Sequence, residues 1–414
     1  MGRVGPVLCM TSRASSPTVL RLGNYRPALT VARSLRARGH QIWVSRDNGS
    51  GAAHASRAVT GIWDDPGSTD PALQYDALAA FLAERPDIEI VFPLQEHYVR
   101  GFFANRHRLP DDRLYIMPNR TAAEICADKS ALLDIVTEAG LPCARNATVY
   151  SLDELHSAQA QIGFPLVVKP VDSTIWLGAQ KVLICRDAAE FAAAFPAWPA
   201  PHSALIVQTY VDGPRVNLYF AAKNGRPIRY LAARIGATDL RDGTGLATDG
   251  VTIPVEPRLR EMADALLEIL DYHGVGCIQV LQDRHTGALS FLEINARIGG
   301  NHAITDHCGM GLDSLALDLA AGHPVADRLV IGRSGVRYVW TKGALRGAAS
   351  ALRHGETGRL GFALRVARAL RLAVTTRAQV TFCWSDPLPS LVILGQGAPN
   401  ALRSVRRGTR RASV

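Results

Sequence analysis

Lysine is scarce in this chain of 414 residues. Of its 46 basic residues only Lys129, Lys169, Lys181, Lys223 and Lys342 are lysines, and the other 41 are arginines. A compact ammonium on a flexible stem suits a single phosphate oxygen, so the five exceptions mark positions worth following. No apolar run has the length of a membrane span. The seven cysteines (Cys9, Cys126, Cys143, Cys185, Cys277, Cys308, Cys383) are dispersed without a C-x-x-C pair. That fits free thiols in a reducing cytoplasm better than a disulfide framework or a zinc site. The apolar stretch near the N-terminus is too short for a signal peptide, and Pro6 stands where myristoylation needs Ser or Thr. No G-x-G-x-x-G, Walker A loop, G-x-S-x-G or H-E-x-x-H is present, so dinucleotide, P-loop, hydrolase and zincin chemistries have no motif to rest on.

Charge is unevenly placed. The net charge is +9, but the last twelve residues, "RSVRRGTRRASV", hold five arginines and no acid, and the remainder is close to +4. This tail reads as disordered, and it has no interleaved aromatic residue on which nucleic-acid bases would stack. A nucleic-acid role is therefore not expected. Hydrophobic content of 47% is globular, and the length calls for more than one domain.

Residues 1–118 alternate strand and helix patterns. "GPVLCM", a helix over Pro27 to Arg38, "HQIWVS", a helix over Ala72 to Glu84 and "IEIVFPL" read as βαβαβ, hence a small parallel sheet covered on both faces. "RTAAEICADKSALLDIVTEAGLP" reads as one or two helices that stop at Gly140, with Pro142 beyond. Strands then dominate: "FPLVVKP", "LIVQTYV", "VNLYFAAKNG", "IRYLAARIG", "GCIQVLQ" and "LSFLEIN". Helices are expected at Ala188 to Phe195 and at Pro257 to Tyr272. Residues 331–402 read as a small α+β appendage, and 403–414 as the basic tail.

"GCIQVLQDRHTGALSFLEIN" reads as a β-hairpin turning across Asp283 to Ala288. A turn centred near Thr286 puts Gln279 opposite Glu293, with Asn295 two residues further on the same face. One carboxylate and two amide carbonyls form a hard, oxygen-only set, suited to Mg²⁺ or Mn²⁺ rather than zinc. A solvated sheet face carrying Gln, Glu and Asn is the plainer alternative on the hairpin alone.

With the rest of the chain, this hairpin resembles the metal-binding hairpin of the ATP-grasp superfamily, in particular that of the carbamoyl-phosphate synthetase large subunit. The resemblance covers about residues 1–330. It implies an α/β and α+β multidomain fold: a pre-ATP-grasp domain over 1–118, a small lid subdomain over 119–204 and a C-terminal subdomain with the metal site over 205–330. It further implies ATP and two Mg²⁺ ions, with Glu293 bridging both and Gln279 and Asn295 each touching one. Arg297 would face the transferred phosphoryl group. Lys129, in "ADKSALL", and Lys169, in "FPLVVKPVDS", match the two phosphate lysines. "LIVQTYVDG" resembles the hinge that lines adenine, with Gln208 beside the amino group, Thr209, Tyr210 and Val211 offering backbone, and Val207 and Val211 sandwiching the ring.

The glycine-rich lid is replaced by "DSTIWLGAQKV", which keeps Ser173 and Gly178 but carries Ile175 and Trp176. Arg215 stands where an acid for the ribose is common, so Asp212 is the substitute expected there. The usual Asn-Pro-Arg is Asn295-Ala296-Arg297. Beyond the strand, the amides of Gly299 and Gly300 are expected to meet a carboxylate or an acylphosphate, with Asn301 and His302 beside the substrate. Arg234 is the candidate second anion contact. The activity implied is ATP-dependent carboxylate–amine ligation through an acylphosphate, on small molecules such as amino acids, which leaves a homodimer open. The alternatives are an ATP-grasp carboxylate kinase or carboxylase-like enzyme with a non-amine acceptor, and a silent nucleotide-binding module.

Overall fold

The computed structural model describes residues 16–47, 51–68, 70–172, 176–178, 180–240, 243–393 and 395. The segment "GPVLCM", Ser173, Ile175 and the arginine tail lie outside them. The first strand described is β1 (Thr18–Leu22), followed by α1 (Arg26–Ala37), β2 (Gln41–Arg46), β3 (Gly61–Asp64), α2 (Pro71–Glu84), β4 (Ile88–Pro93), α3 (Glu96–Asn105) and β5 (Leu114–Tyr115). The five strands form one wholly parallel sheet in the order β3-β2-β1-β4-β5. β1 and β4 are central neighbours whose connections leave in opposite directions, a topological switch point. The expected βαβαβ layout is present, with β1 at "TVLRL".

Two short helices, α4 (Arg120–Ala127) and α5 (Lys129–Glu138), lead into a four-stranded antiparallel sheet. Its strands are β6 (Asn146–Val149), β7 (Leu166–Pro170), β8 (Leu183–Cys185) and β9 (Leu205–Thr209), in the order β6-β9-β7-β8. Helices α6 (Leu152–Ile162) and α7 (Ala188–Ala194) accompany it. Leu166, Val168, Leu205 and Val207 point into its own core, with Leu155, Phe191 and Phe195. Sheet alternation then puts Lys169 and Gln208 on the opposite face.

The third sheet begins with β10 (Arg215–Lys223), β11 (Arg226–Thr238) and β12 (Ala247–Ile253). After α8 (Pro257–Ile269) come β13 (Gly274–Gln282), β14 (Leu289–Asn295), α9 (His302–His307), α10 (Leu312–Ala320) and β15 (Val330–Ile331). The last elements are β16 (Arg337–Val339), α11 (Thr341–Arg353), α12 (Arg359–Thr375) and β17 (Ala378–Gln379). The main path runs β14-β13-β10-β11-β12-β16-β17, with β15 beside β11. Residues beyond 331 therefore extend this sheet, through β16 and β17, as well as adding a pair of helices.

Both faces of the large sheet are covered. Leu218, Phe220, Ile278 and Val280 pack on α8 and α5 through Leu266 and Leu133. On the other face Tyr219, Cys277 and Ala233 join one continuous core with Val19, Val31, Ile90, Tyr338 and Val380. The N-terminal sheet and the last strands thus share a core. An ion-paired clasp reinforces this: Asp386 accepts from Arg33 Nε at 2.9 Å and from the Arg57 amide at 3.2 Å, and also holds the Ser56 hydroxyl.

Candidate active site

The hairpin forms in the expected register. Gln279 pairs with Glu293 and Cys277 with Asn295, with a bulge on β14 just before Glu293. The turn is fixed by Asp283, whose carboxylate accepts the amides of His285 (3.0 Å) and Thr286 (2.8 Å) and the Thr286 hydroxyl (2.9 Å). This is the side-chain-closed turn that aspartate favours. Asn295 Nδ2 donates to Glu293 Oε1 at 2.9 Å, so the two polar side chains lie together.

A residue that sequence reasoning passed over extends this row. Asn217 on β10 stands opposite Gln279 and on the same face. It is 5% exposed, and its Oδ1 is buried without a hydrogen-bond partner, while its amide nitrogen donates to the Tyr219 hydroxyl at 3.3 Å. Asn217, Gln279, Glu293 and Asn295 thus offer side-chain oxygens from three adjacent strands. The strand alternation of "RVNLYF" carried that signal.

Lys129 is the first residue of α5, placed by Asp128, which caps the helix through the amides of Ser130 (2.9 Å) and Ala131 (3.2 Å). Lys169 is buried on β7 and donates to Gln208 Oε1 at 3.2 Å. Burial, and then Lys129, lower its pKa to about 8, against the pull of Glu293. The lid lysine, the helix lysine and the hairpin carboxylate therefore share one electrostatic neighbourhood.

Arg297 is turned toward the N-terminal sheet. Its Nη2 and Nε donate to Glu96 Oε2 at 2.8 and 3.2 Å, and its Nη1 to the Tyr25 hydroxyl at 2.9 Å. Burial opposes its charge, but Tyr25, Glu96 and, more weakly, Glu293 raise its pKa above the ordinary value. Tyr25 follows β1 and Glu96 follows β4, so both come from the carboxyl ends of the switch-point strands, where ligands of open α/β sheets bind. Sequence reasoning missed both, because the switch point depends on which strands become neighbours.

Other expected residues go elsewhere. Arg234 pairs with Val216, whose side chain lies in the core under the opposite sheet face, so Arg234 is carried away from Glu293. Asn301 is 3% exposed; it accepts from Arg26 Nη1 at 2.9 Å and donates to the Tyr338 hydroxyl at 3.3 Å. His302 is equally buried, with Nδ1 2.7 Å from the Thr305 hydroxyl, and burial lowers its pKa. Both side chains are buried and hydrogen-bonded within the protein. Gly299 and Gly300 are small for packing: a Cβ would come within 2.8 Å of the Tyr219 ring and 2.7 Å of the Arg26 guanidinium.

The hinge is mixed. Val207 is fully buried in the core of the small sheet. The amides of Thr209 and Tyr210 are taken by the carbonyls of Arg145 (2.9 Å) and Pro165 (3.1 Å). Among the described residues no partner is recorded for the Val211 amide, which keeps it as the candidate donor. Asp212 is turned to the hairpin tip, 3.4 Å from Arg284. Gly178 has φ +59, a left-handed conformation that favours glycine. Beside it Lys181 stacks 5.5 Å from the Trp176 ring, so two further sequence oddities meet in the lid.

The donor set fits a hard divalent cation. It is all oxygen with a single carboxylate, which suits Mg²⁺ completed by phosphate oxygens and water. Among the described residues no cluster of three His, Cys, Asp or Glu side chains offers a different metal site.

This arrangement, three sheets with a lysine-bearing small sheet above a carboxylate-bearing large one, agrees with what the chain resembles. Residues 252–328 match the family model of the carbamoyl-phosphate synthase L chain, ATP binding domain. The chain is 27% identical over 222 residues to a D-alanine–D-alanine ligase of Pseudomonas fluorescens, covering 50% of this chain and 66% of that one. It spans 59% of the length of a second such ligase, from Stutzerimonas stutzeri. Among solved structures, the biotin carboxylase domain of Hydrogenobacter thermophilus 2-oxoglutarate carboxylase, in complex with MgADP and bicarbonate, superposes with a TM-score of 0.64 at 18% identity, over 77% of this chain and 73% of that one. An L-amino acid ligase from Bacillus licheniformis gives 0.56 at 16%, over 74% and 75%. The chain has the fold of these proteins, and its residues 252–328 resemble the ATP-binding domain of the ATP-grasp superfamily. No helix among the described residues is long and apolar enough to cross a membrane.

Proposed function

We propose that the protein is an ATP-dependent carboxylate–amine ligase acting on small molecules, forming an amide through an acylphosphate and releasing ADP and phosphate. The observation that carries this reading is the meeting of Glu293, paired with Asn295 and facing Gln279, with Lys169 and Lys129 across the cleft. The lysines would hold the phosphates of ATP; Gln279, Glu293 and Asn295 would hold Mg²⁺, as one ion or two, or Mn²⁺ in its place. Bound there, the metal supplies neutralisation of phosphate charge.

A substrate carboxylate is already ionised at neutral pH, so its attack on the γ-phosphorus needs in-line positioning and charge neutralisation more than a base. The carboxylate oxygen forms the new P–O bond, and ADP leaves with the electrons of the old one. The amine nitrogen then bonds to the acyl carbon, the C–O bond to phosphate breaks with its pair, and the surplus proton passes to phosphate or water. Arg297, held by Glu96 and Tyr25 two residues beyond Asn295, would meet the phosphoryl group. The decisive test is an ADP-release screen over paired acids and amines. ADP with an amide product supports the reading; AMP and pyrophosphate as the only nucleotide products overturn it. ADP release with an acid alone, or with bicarbonate, points to the carboxylate-kinase or carboxylase alternative.

A further inference from the structure

Past Arg297 the chain builds a cavity of about 100 Å³ from segments near its two ends. Tyr25, Arg26 and Leu29, at the start of α1, form one side; Trp340, Lys342 and Arg346, at the start of α11, form the other. The cavity adjoins the phosphoryl end of the site, because Tyr25 receives the Arg297 hydrogen bond and Arg26 lies against Gly300.

Its charge is unbalanced. The guanidinium carbons of Arg26 and Arg346 lie 4.2 and 5.2 Å from the Trp340 ring centroid. Arg346 is paired with Asp239. Arg26 is committed only to neutral oxygens, those of Ala247 (3.0 Å) and Asn301 (2.9 Å). Among the described residues neither Arg26 nor Lys342 forms an ion pair. Burial and the neighbouring Arg346 lower the pKa of Lys342. The N-terminal end of α1 adds partial positive charge to the same wall. Three cations share one carboxylate, and such a concentration of positive charge around one cavity calls for an anion.

We propose that this cavity binds the free carboxylate of the amine co-substrate, so that the acceptor is an amino acid seated on Lys342 and Arg26 with its amine directed toward Arg297. The inference rests on the ligase reading. The reacting acid has its place beside Glu293 and the γ-phosphate, and the lysines define the nucleotide side. The amine then approaches from the remaining side, where the cavity lies. Trp340 and Leu29 offer an apolar wall for its side chain.

The test is a thermal-shift series on the full chain with saturating MgADP. It uses each of the twenty amino acids, the matching carboxamides and inorganic phosphate, in the wild type and in Lys342→Met. At least one amino acid should raise the Tm, and its carboxamide should bind about tenfold or more weakly, the range for losing a charge-assisted hydrogen bond. Lys342→Met should abolish the difference between acid and amide while its unliganded Tm stays close to that of the wild type. Equal stabilisation by acid and amide, a shift that survives in Lys342→Met, or no shift with any amino acid overturns the proposal. A Lys342-dependent response to phosphate alone also overturns it, in favour of a phosphate site. A Lys342-dependent amino-acid shift without ADP release in any pairing would keep the cavity's role and defeat the ligase reading.

Discussion

Arg297 and Glu96, 201 residues apart, are joined by two hydrogen bonds of 2.8 and 3.2 Å. The pair ties the end of the strand that carries Glu293 and Asn295 to the switch point of the N-terminal sheet. Burial alone would raise the pKa of Glu96, but Arg297, with Arg100 and Lys129, brings it below the ordinary carboxylate value. The stabilisation this provides is complete above the unfolded pKa and is lost as pH falls through the lower folded one. Glu96→Gln should therefore cost about 1–3 kcal/mol near neutral pH. It should also flatten acid unfolding below about pH 4.5. Urea titrations at several pH values read both effects.

Glu293 is half-buried and hydrogen-bonded to Asn295. Glu293→Ala should lower ADP release about 100-fold or more, as expected for loss of a group that organises charge at the reacting phosphate. Its Tm should move by no more than about 2 °C, because no core contact is removed. Loss of the fold together with the activity would refute the assignment.

Lys169, with its pKa lowered to about 8, gives two linked outcomes. Between that value and the unfolded one, the unfolded chain holds the extra proton, so this group makes stability rise with pH. Nucleotide phosphates favour the charged lysine, so binding should take up a proton near pH 8 and weaken as pH rises through it. Calorimetry of MgADP binding in buffers of different ionisation enthalpy measures the uptake. Lys169→Met should remove the uptake and weaken the nucleotide, while raising Tm at pH 7 by relieving a buried charge.

Asn301→Ala leaves the guanidinium of Arg26 and the hydroxyl of Tyr338 each short of a partner. The expected cost is about 1–3 kcal/mol of stability. Urea titration measures this cost. The KM of the reacting acid should change less than twofold, because Asn301 reaches the acceptor side only through Arg26.

What was legible in the sequence was local. The β13–β14 hairpin could be read because its alternation and its Asp-Thr-Gly turn lie within twenty residues. The two lysines stood out because the chain otherwise uses arginine. β1 was passed over because Arg21 interrupts "TVLRL" with a charge, and yet Arg21 is fully buried in the fold. Tyr25 and Glu96 depend on which strands become neighbours, a property of topology that no local window contains. Asn301 and His302, just after two glycines, looked like an exposed polar loop. Asn301 is held inside by Arg26 and Tyr338, which are 312 residues apart in the chain, and His302 by Thr305 within its own helix. The cavity around Lys342 was invisible for the same reason.

The clasp at Asp386 has a consequence for how the protein comes into being. Arg33 and Ser56 are made early, but their partner follows more than 300 residues later. At ordinary synthesis rates that is a delay of roughly half a minute. Throughout it, the face of α1 that will meet the last strands has no cover. Native pairing here spans nearly the whole described length, so final closure is a slow, non-local step. The core that Leu20, Tyr75, Leu82 and Tyr98 form on the other face of the N-terminal sheet is complete long before this closure.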